Sequence, residues 1–387
     1  MDKIKFAPPY IDEEIISAVV DVLRSGWITS GPICLELEKE LSTFMGTKDV
    51  VCCSSWTSGA ILTLTALGVG NNDEVIIPNY TYAATALAVM HAGAKPKIVD
   101  VDENLQMDLV AIKKAVSSKT KAIMPVDVGG LPCNIDKIRD LLIELDRKDI
   151  TIILDAAHSF GATIDGHKVG NQADVTIFSM HAVKNLTSAE GGFITTSSSF
   201  YSDSFYKELR LLRLNGQTKD AFSKTLNKAS WEYDIVRIGY KMNLPDVLAV
   251  IALKQLKSYE LQLLRRHDIF KRYEDGLNSL EIGKSLPRVI GNQVSSCHLF
   301  IFILHEEYKH YRNIFIEEMA EKDIPLNVHF KPLSLLSVFQ DSNFDMPNSI
   351  NLYQRAISFP IHMELTNKQV DYVIKNFVAL ALNKISR

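Results

Sequence analysis

The stretch SMHAVKNLTSAEGG (residues 179–192) decides the reading of this chain. It grows out of VTIFS (175–179), a β-branched and apolar run that reads as a buried strand. An earlier run, TIILDAAHSF (151–160), places Asp155 where another such strand leaves a sheet. Lys184 follows Asp155 by 29 residues, room for one excursion and a return strand. Further short apolar runs lie on either side: VVCCS (50–54), EVIIP (74–78), KPKIVDV (95–101), KAIMPV (121–126) and GFITT (192–196). Helical patterns separate most of them, at 57–68, 81–93, 107–116 and 134–146. This alternation predicts an α/β fold, a seven-stranded and mostly parallel sheet with helices on both faces. Sites in such a sheet gather at the carboxyl ends of the strands.

Two helices are expected before the sheet, at 11–26 and 34–46, joined by WITSGP (27–32). After it, a long helical stretch runs from about Pro245 to Leu280, followed by strands near 298–304 and 325–330 and a closing helix over 367–385. The expected organisation is a large domain over 1–250, including the N-terminal helices, and a smaller C-terminal α+β domain over 251–387. The polar stretch 217–234, QTKDAFSKTLNKASWEYD, reads as a mobile loop.

Composition narrows the function classes. Among 387 residues, 47% are hydrophobic and 23% charged, which is ordinary for a globular chain. A net charge of −4 argues against a nucleic-acid partner or a polybasic membrane surface. No apolar run reaches the ~18–20 residues that span a bilayer. MDKIKFAPPYIDEE lacks the apolar core of a signal peptide, so a cytoplasmic location is expected. The five cysteines, Cys34, Cys52, Cys53, Cys133 and Cys297, contain no CxxC pair. They predict buried reduced thiols, with neither a disulfide framework nor a metal site.

An Asp at one strand end and a Lys just past the next is the pair that pyridoxal 5′-phosphate (PLP) chemistry needs. A lysine amine forms a Schiff base with the aldehyde, and a carboxylate keeps the pyridine nitrogen protonated so that the ring draws electrons. Each residue alone has a plainer explanation: Asp155 as a loop cap and Lys184 as a solvated lysine. Their company favours the cofactor. Ala156 and Ala157 leave room for a flat ring, and His158 offers an imidazole to its phenolic oxygen. Around Lys184 stand Ser179, His181, Asn185 and the Glu190-Gly191-Gly192 turn. SSWTSGA (54–60) sets Thr57 and Ser58 at a helix start, where amides and hydroxyls suit a phosphate, although ordinary N-capping uses the same residues. Ser179 is a candidate for a third phosphate donor. NYTYAAT (79–85) offers Tyr80 and Tyr82, either to stack on the ring or to fill the core. A nicotinamide-linked oxidoreductase would want GxGxxG after the first strand, and SSWTSG does not supply it.

The chain resembles the sugar-nucleotide aminotransferases, the DegT/StrS group of fold-type I PLP enzymes. The likeness runs through SGWITSGP (25–32), SSWTSG (54–59), DAAHSFGA (155–162), the lysine segment and GYKMNLPD (239–246). It implies transfer of an amino group from L-glutamate to a nucleotide-linked keto sugar, most similar to members that aminate 4-keto sugars, in amino-sugar and cell-surface polysaccharide biosynthesis. Lys184 would be the Schiff-base lysine and proton carrier, and Asp155 the pyridine partner. His158 would contact the ring oxygen and Tyr82 would stack on the ring. Thr57, Ser58 and Ser179 would hold the phosphate. Thr29, Ser30 and His329 would meet the sugar nucleotide. The resemblance also implies a homodimer with shared active sites, in which GYKMN reaches the neighbouring site. Lys241 stands where many members have Asn, which leaves Lys241 and Asn243 both open as the residue that reaches the phosphate. Leu214-Asn215-Gly216 departs from the His that relatives often place before that Gly. Members that dehydrate sugars carry His in place of the lysine, and an inert regulatory member would not need Lys184, Asp155 and His158 together.

Overall fold

The computed structural model describes residues 3–219, 232–339 and 345–385. Its centre is a seven-stranded sheet in the order β1-β9-β8-β5-β4-β2-β3. The strands are β1 (Val51–Cys53), β2 (Glu74–Pro78), β3 (Lys95–Val99), β4 (Thr120–Ile123), β5 (Thr151–Asp155), β8 (Val175–Ser179) and β9 (Gly192–Thr196). A short hairpin, β6 (Thr163–Ile164) and β7 (His167–Lys168), lies outside it. Only β9 runs against the rest, paired antiparallel to both β1 and β8. The predicted mostly parallel sheet is therefore present.

Alternation along the strands feeds two cores. Cys52, Ile76, Ile152, Leu154 and Phe178 face one layer, with Leu37, Leu41, Ile138 and Leu142 from helices over it. Val51, Val75, Ile77, Ile153 and Ile177 face the other, against Ala60, Leu64, Ala86 and Leu209. A period of two does this, because successive side chains leave a strand on opposite faces.

Local side-chain caps start the helices at Glu13, Trp56, Leu109 and Ile135, whereas the one at Pro32 is capped from a distance. In α1 (Glu13–Ser25), the Asp12 carboxylate accepts from the Ile15 amide at 2.9 Å, and Gly26 closes the helix in the left-handed conformation. α2 (Pro32–Met45) follows Gly31, which has no side chain to cap with. Asp246 does that work from far along the chain, accepting from the amides of Gly31, Ile33 and Cys34. In α3 (Trp56–Ala66), Ser55 caps by accepting from the Ser58 amide. α4 spans Ala84–His91, α5 Leu109–Ala115 and α6 Ile135–Glu144.

The helical stretch expected over 245–280 is two helices, Asp246–Lys257 and Tyr259–Leu277, which meet at Ser258. A division of the chain at residue 250, which lies inside the first of them, stays a proposal. The C-terminal part is built on a three-stranded antiparallel sheet: Gly283–Ser285, Phe300–Leu304 and Ala356–Phe359. Phe300, Phe302, Phe315, Phe359 and Phe377 fill its core. The strand expected at 325–330 does not form. Asn327 alone bridges to Ser358, and the chain leaves the sheet after it. The stretch 217–234 falls largely outside the described residues. Its flanks are tied together, with the Thr218 amide donating to Asp234 O at 3.0 Å.

Candidate active site

The carboxyl ends of β5 and β8 open side by side, and their registers align Asp155 with Ile177. Asp155 leaves β5 as a buried carboxylate. One oxygen accepts from the Ala157 amide at 3.1 Å, the other from the Thr85 hydroxyl at 3.2 Å. Burial pushes its pKa up to about 6, against the pull of the Ala157 amide, the Lys184 charge and the Thr85 hydroxyl. Lys184 lies near enough to feel the Asp155 charge. Burial pulls its amine down to about 8, and Asp155 opposes that shift. Lys184 rides on a loop closed by the β8–β9 pair, in which Ser179 stands opposite Gly192.

His158 follows from the same strand exit. Its Nδ1 accepts from the Gly129 amide at 3.2 Å, so the neutral ring carries its proton on Nε2. Burial, then the charges of Lys184 and His329, keep it far below the usual histidine range and therefore neutral. A neutral Nε2–H donor is what a phenolate-type oxygen asks for.

The start of α3 forms the third wall. The Ser58 hydroxyl lies 2.8 Å from the hydroxyls of both Ser54 and Ser55. Thr57 stands in the same first turn, where the free amides of a helix attract anions. Gly192 brings β9 against this turn, since a Cβ there would lie 2.6 Å from the Ser55 carbonyl carbon. Ser179, at the end of β8, has its Oγ accepting from the His181 amide at 3.3 Å. The donor set fits PLP: an acid for a ring nitrogen, a neutral imidazole for a ring oxygen, a hydroxyl-rich helix start for a phosphate and a depressed lysine for an aldehyde.

The two tyrosines divide. Tyr80 is fully buried and gives its hydroxyl to His329 O at 2.8 Å, the core option. Tyr82 is 65% exposed, with its ring centroid 6.0 Å from that of Phe330. Phe330 also stacks on His158 at 5.6 Å. His329 enters the site beside it, held by Ser358 Oγ at 3.0 Å from its Nδ1. Burial, then the Lys184 charge, pull its pKa to about 4.

Thr29, Ser30, Lys241 and Asn243 stand apart from this cluster. They line a cavity of about 440 Å³ together with Lys207, Arg210, Arg213 and Gln217, and none of Asp155, His158 or Lys184 takes part. Asn243 Nδ2 donates to Ser30 Oγ at 2.6 Å. One link between the two regions is the Ser54 amide, which donates to Met242 O at 2.8 Å.

The family model for the DegT/DnrJ/EryC1/StrS aminotransferases matches residues 9–378. The chain belongs to this family. A Bacillus subtilis relative, the spore coat polysaccharide biosynthesis protein SpsC, is 34% identical over 96% of this chain and 95% of its own. The uncharacterised protein MJ1066 of Methanocaldococcus jannaschii is 36% identical, covering 95% and 96%. Among solved structures, Spr1654 of Streptococcus pneumoniae, a candidate sugar aminotransferase, superimposes in its PMP-form with a TM-score of 0.93. It is 39% identical, over 98% of this chain and 99% of that one, and it is also known in a PLP-form. Family membership settles the fold as fold-type I and the cofactor as PLP.

Several residues of the site were not singled out by sequence. Thr85 lay in a quoted segment, but its reach to Asp155 depends on how α4 docks. Phe330 adjoins His329 without any pattern of its own. His298, from the C-terminal part, packs its ring 4.3 Å from that of His158. Among the described residues no helix is long and apolar enough to cross a membrane. Cys34, Glu38 and Cys52 lie close enough to share an ion, yet Glu38 is already held by Arg213 at 2.5 Å.

Proposed function

We propose that this chain moves an amino group from L-glutamate to the keto carbon of a nucleotide-linked sugar, a 4-keto sugar in our reading, in the cytoplasm and as a homodimer. The observation that carries the proposal is the Asp155–Lys184 pair, a buried carboxyl at the end of β5 and a half-buried amine on the loop after β8, with His158 following the carboxyl. When bound, PLP supplies an electron sink that lets a C–H bond next to nitrogen ionise.

The chain's own residues do the rest. Asp155 faces the ring nitrogen, and a proton held there lowers the carboxyl's pKa again, because an opposite charge favours the ionised form. Lys184, with its amine near 8, has a neutral fraction at physiological pH and serves as the base that takes a proton from the donor's α-carbon and returns one to the acceptor. His158 donates its Nε2–H to the ring oxygen. Thr57, Ser58 and Ser179 orient the phosphate, and Tyr82 covers the ring face. Donor and acceptor take turns in a ping-pong order.

SpsC is named for polysaccharide biosynthesis and Spr1654 for a sugar substrate, which supports a sugar acceptor here. Thr29, Ser30 and His329 are the proposed sugar-nucleotide contacts, and Lys241 and Asn243 the proposed reach into a second copy. Purified, PLP-loaded protein is to be given glutamate and a panel of UDP-, dTDP- and GDP-linked keto sugars. Amino-sugar product from at least one of them is the expected result. Turnover of simple keto acids alone would overturn the sugar assignment.

A further inference from the structure

We propose that His298 is a positioning residue for the reaction at Lys184: it holds Asn185, the next residue, by hydrogen bond and His158 by ring contact. The proposal rests on the reading that Lys184 and His158 face the cofactor. His298 is buried, and its Nδ1 lies 2.9 Å from Asn185 Oδ1. The amide of Asn185 is oriented by its other end, since Nδ2 donates to Ser296 O at 3.0 Å. Oδ1 is thus the acceptor, and His298 carries its proton on Nδ1.

The surrounding segment is also tied to the loop bearing His158 and to the turn at Gly129 and Gly130. The Ser296 hydroxyl donates to His158 O at 2.6 Å, the Ser296 amide to Gly130 O at 3.0 Å and the Leu299 amide to Gly129 O at 3.1 Å. Gly129 is the residue whose own amide fixes the His158 tautomer. Gly130, at φ +97°, must be glycine for this approach, because a Cβ would lie 2.3 Å from Ser296 Oγ. His298 leads directly into the strand Phe300–Leu304, so the link joins the C-terminal sheet to the lysine loop. The charged and titratable groups facing it are His158, Lys184, Arg266 and His329. Together with burial, which acts most strongly, they keep the ring neutral.

Two variants separate the two contacts. His298→Asn keeps an N–H where Nδ1 was and removes the ring. His298→Phe keeps a ring and has no proton for Asn185. The expected result is that His298→Phe slows the single-turnover half-reaction with glutamate at least tenfold, with less than threefold change in half-saturating glutamate. It also moves the pH midpoint of the visible absorbance of the loaded enzyme by about one unit. His298→Asn recovers most of the rate. Independently, nitrogen-15 histidine NMR of the wild-type protein without cofactor is expected to show His298 protonated on Nδ1 and His158 on Nε2, both neutral at pH 7. That spectrum needs no variant, so it decides the tautomers even if a variant misfolds or no sugar substrate is found. A proton on Nε2 of His298 would overturn the proposal. So would a Phe variant within twofold of wild type, or two equally slow variants whose absorbance midpoint has not moved.

Discussion

The pocket around Lys184 and the cavity around Lys241 answer different questions with similar residue types. At Lys184 the chain finishes its own work: Asp155 has partners on both oxygens, His158 has a fixed tautomer, and the lysine charge is opposed by a carboxylate. At Lys241 the wall is open and cationic, with Lys207, Arg210 and Arg213 nearby. Arg210 and Arg213 are occupied by Asp49 and Glu38, whereas Ile235, Val236 and Ile238 beside that wall remain exposed. Large apolar side chains in water ask for cover. The first region reads as chemistry and the second as a face to be completed, which is the role a second copy would fill.

The sharpest way to break this contrast is to remove the amine. Lys184→Ala is expected to abolish turnover while thermal unfolding stays close to wild type, because the side chain faces the cofactor space and not the core. Wild-type rates from that variant would end the assignment.

Asp155→Ala or Asp155→Asn comes next, at several kcal/mol of barrier, each ~1.4 kcal/mol being tenfold in rate. Steady-state kinetics within threefold of wild type would remove Asp155 from its role.

Mixing tests the second region. Lys184→Ala subunits combined with subunits disabled at both Lys241 and Asn243 are expected to regain part of the activity that each lacks alone, since one site of each mixed dimer receives two good halves. An active monomer in sedimentation at assay concentration would show instead that the cavity is not shared.

A pH series sharpens the first region. An amine must be neutral to attack an aldehyde, and Lys184 sits near 8 rather than at the ordinary lysine value. Uptake of PLP by cofactor-free protein, followed by visible absorbance, is therefore expected to quicken as pH rises toward about 8 and to level above it. A rate still climbing at pH 10 would mean that the lysine is not depressed.

The smallest effect is expected at Thr85→Val, about three- to tenfold in rate. Losing a donor to the Asp155 carboxylate favours its protonated form, so the acid limb of the pH–rate curve should move upward.

Much of the first region was legible because it is local. Lys184, Asp155, His158, Ser179 and Ser58 all sit within a few residues of a strand end, and the strands announce themselves by apolar runs. The same holds for the sheet, whose seven members match the runs that start the reading. What escaped was set by docking between distant segments. Asp246 caps α2 from another helix, His298 reaches Asn185 from the C-terminal sheet, and Phe330 comes to His158 from a turn where sequence suggested a strand. The strand at 325–330 failed for a related reason: PLNVHF alternates like a strand, but its neighbours leave it only one bridging position. The break at Ser258 was hidden because no Gly or Pro marks it and apolar residues recur at helical spacing on both sides.

The reversed strand β9 has a practical consequence. Because β8 and β9 are adjacent and antiparallel, the lysine-bearing loop is a closed bight whose two ends, Ser179 and Gly192, are buttoned together in the sheet. Such a loop has little slack to lose or regain when cofactor departs or returns. Stripping PLP with a competing amine and restoring it should thus behave as reversible docking into a ready receptacle, with no refolding lag and a linear dependence of reloading rate on PLP concentration.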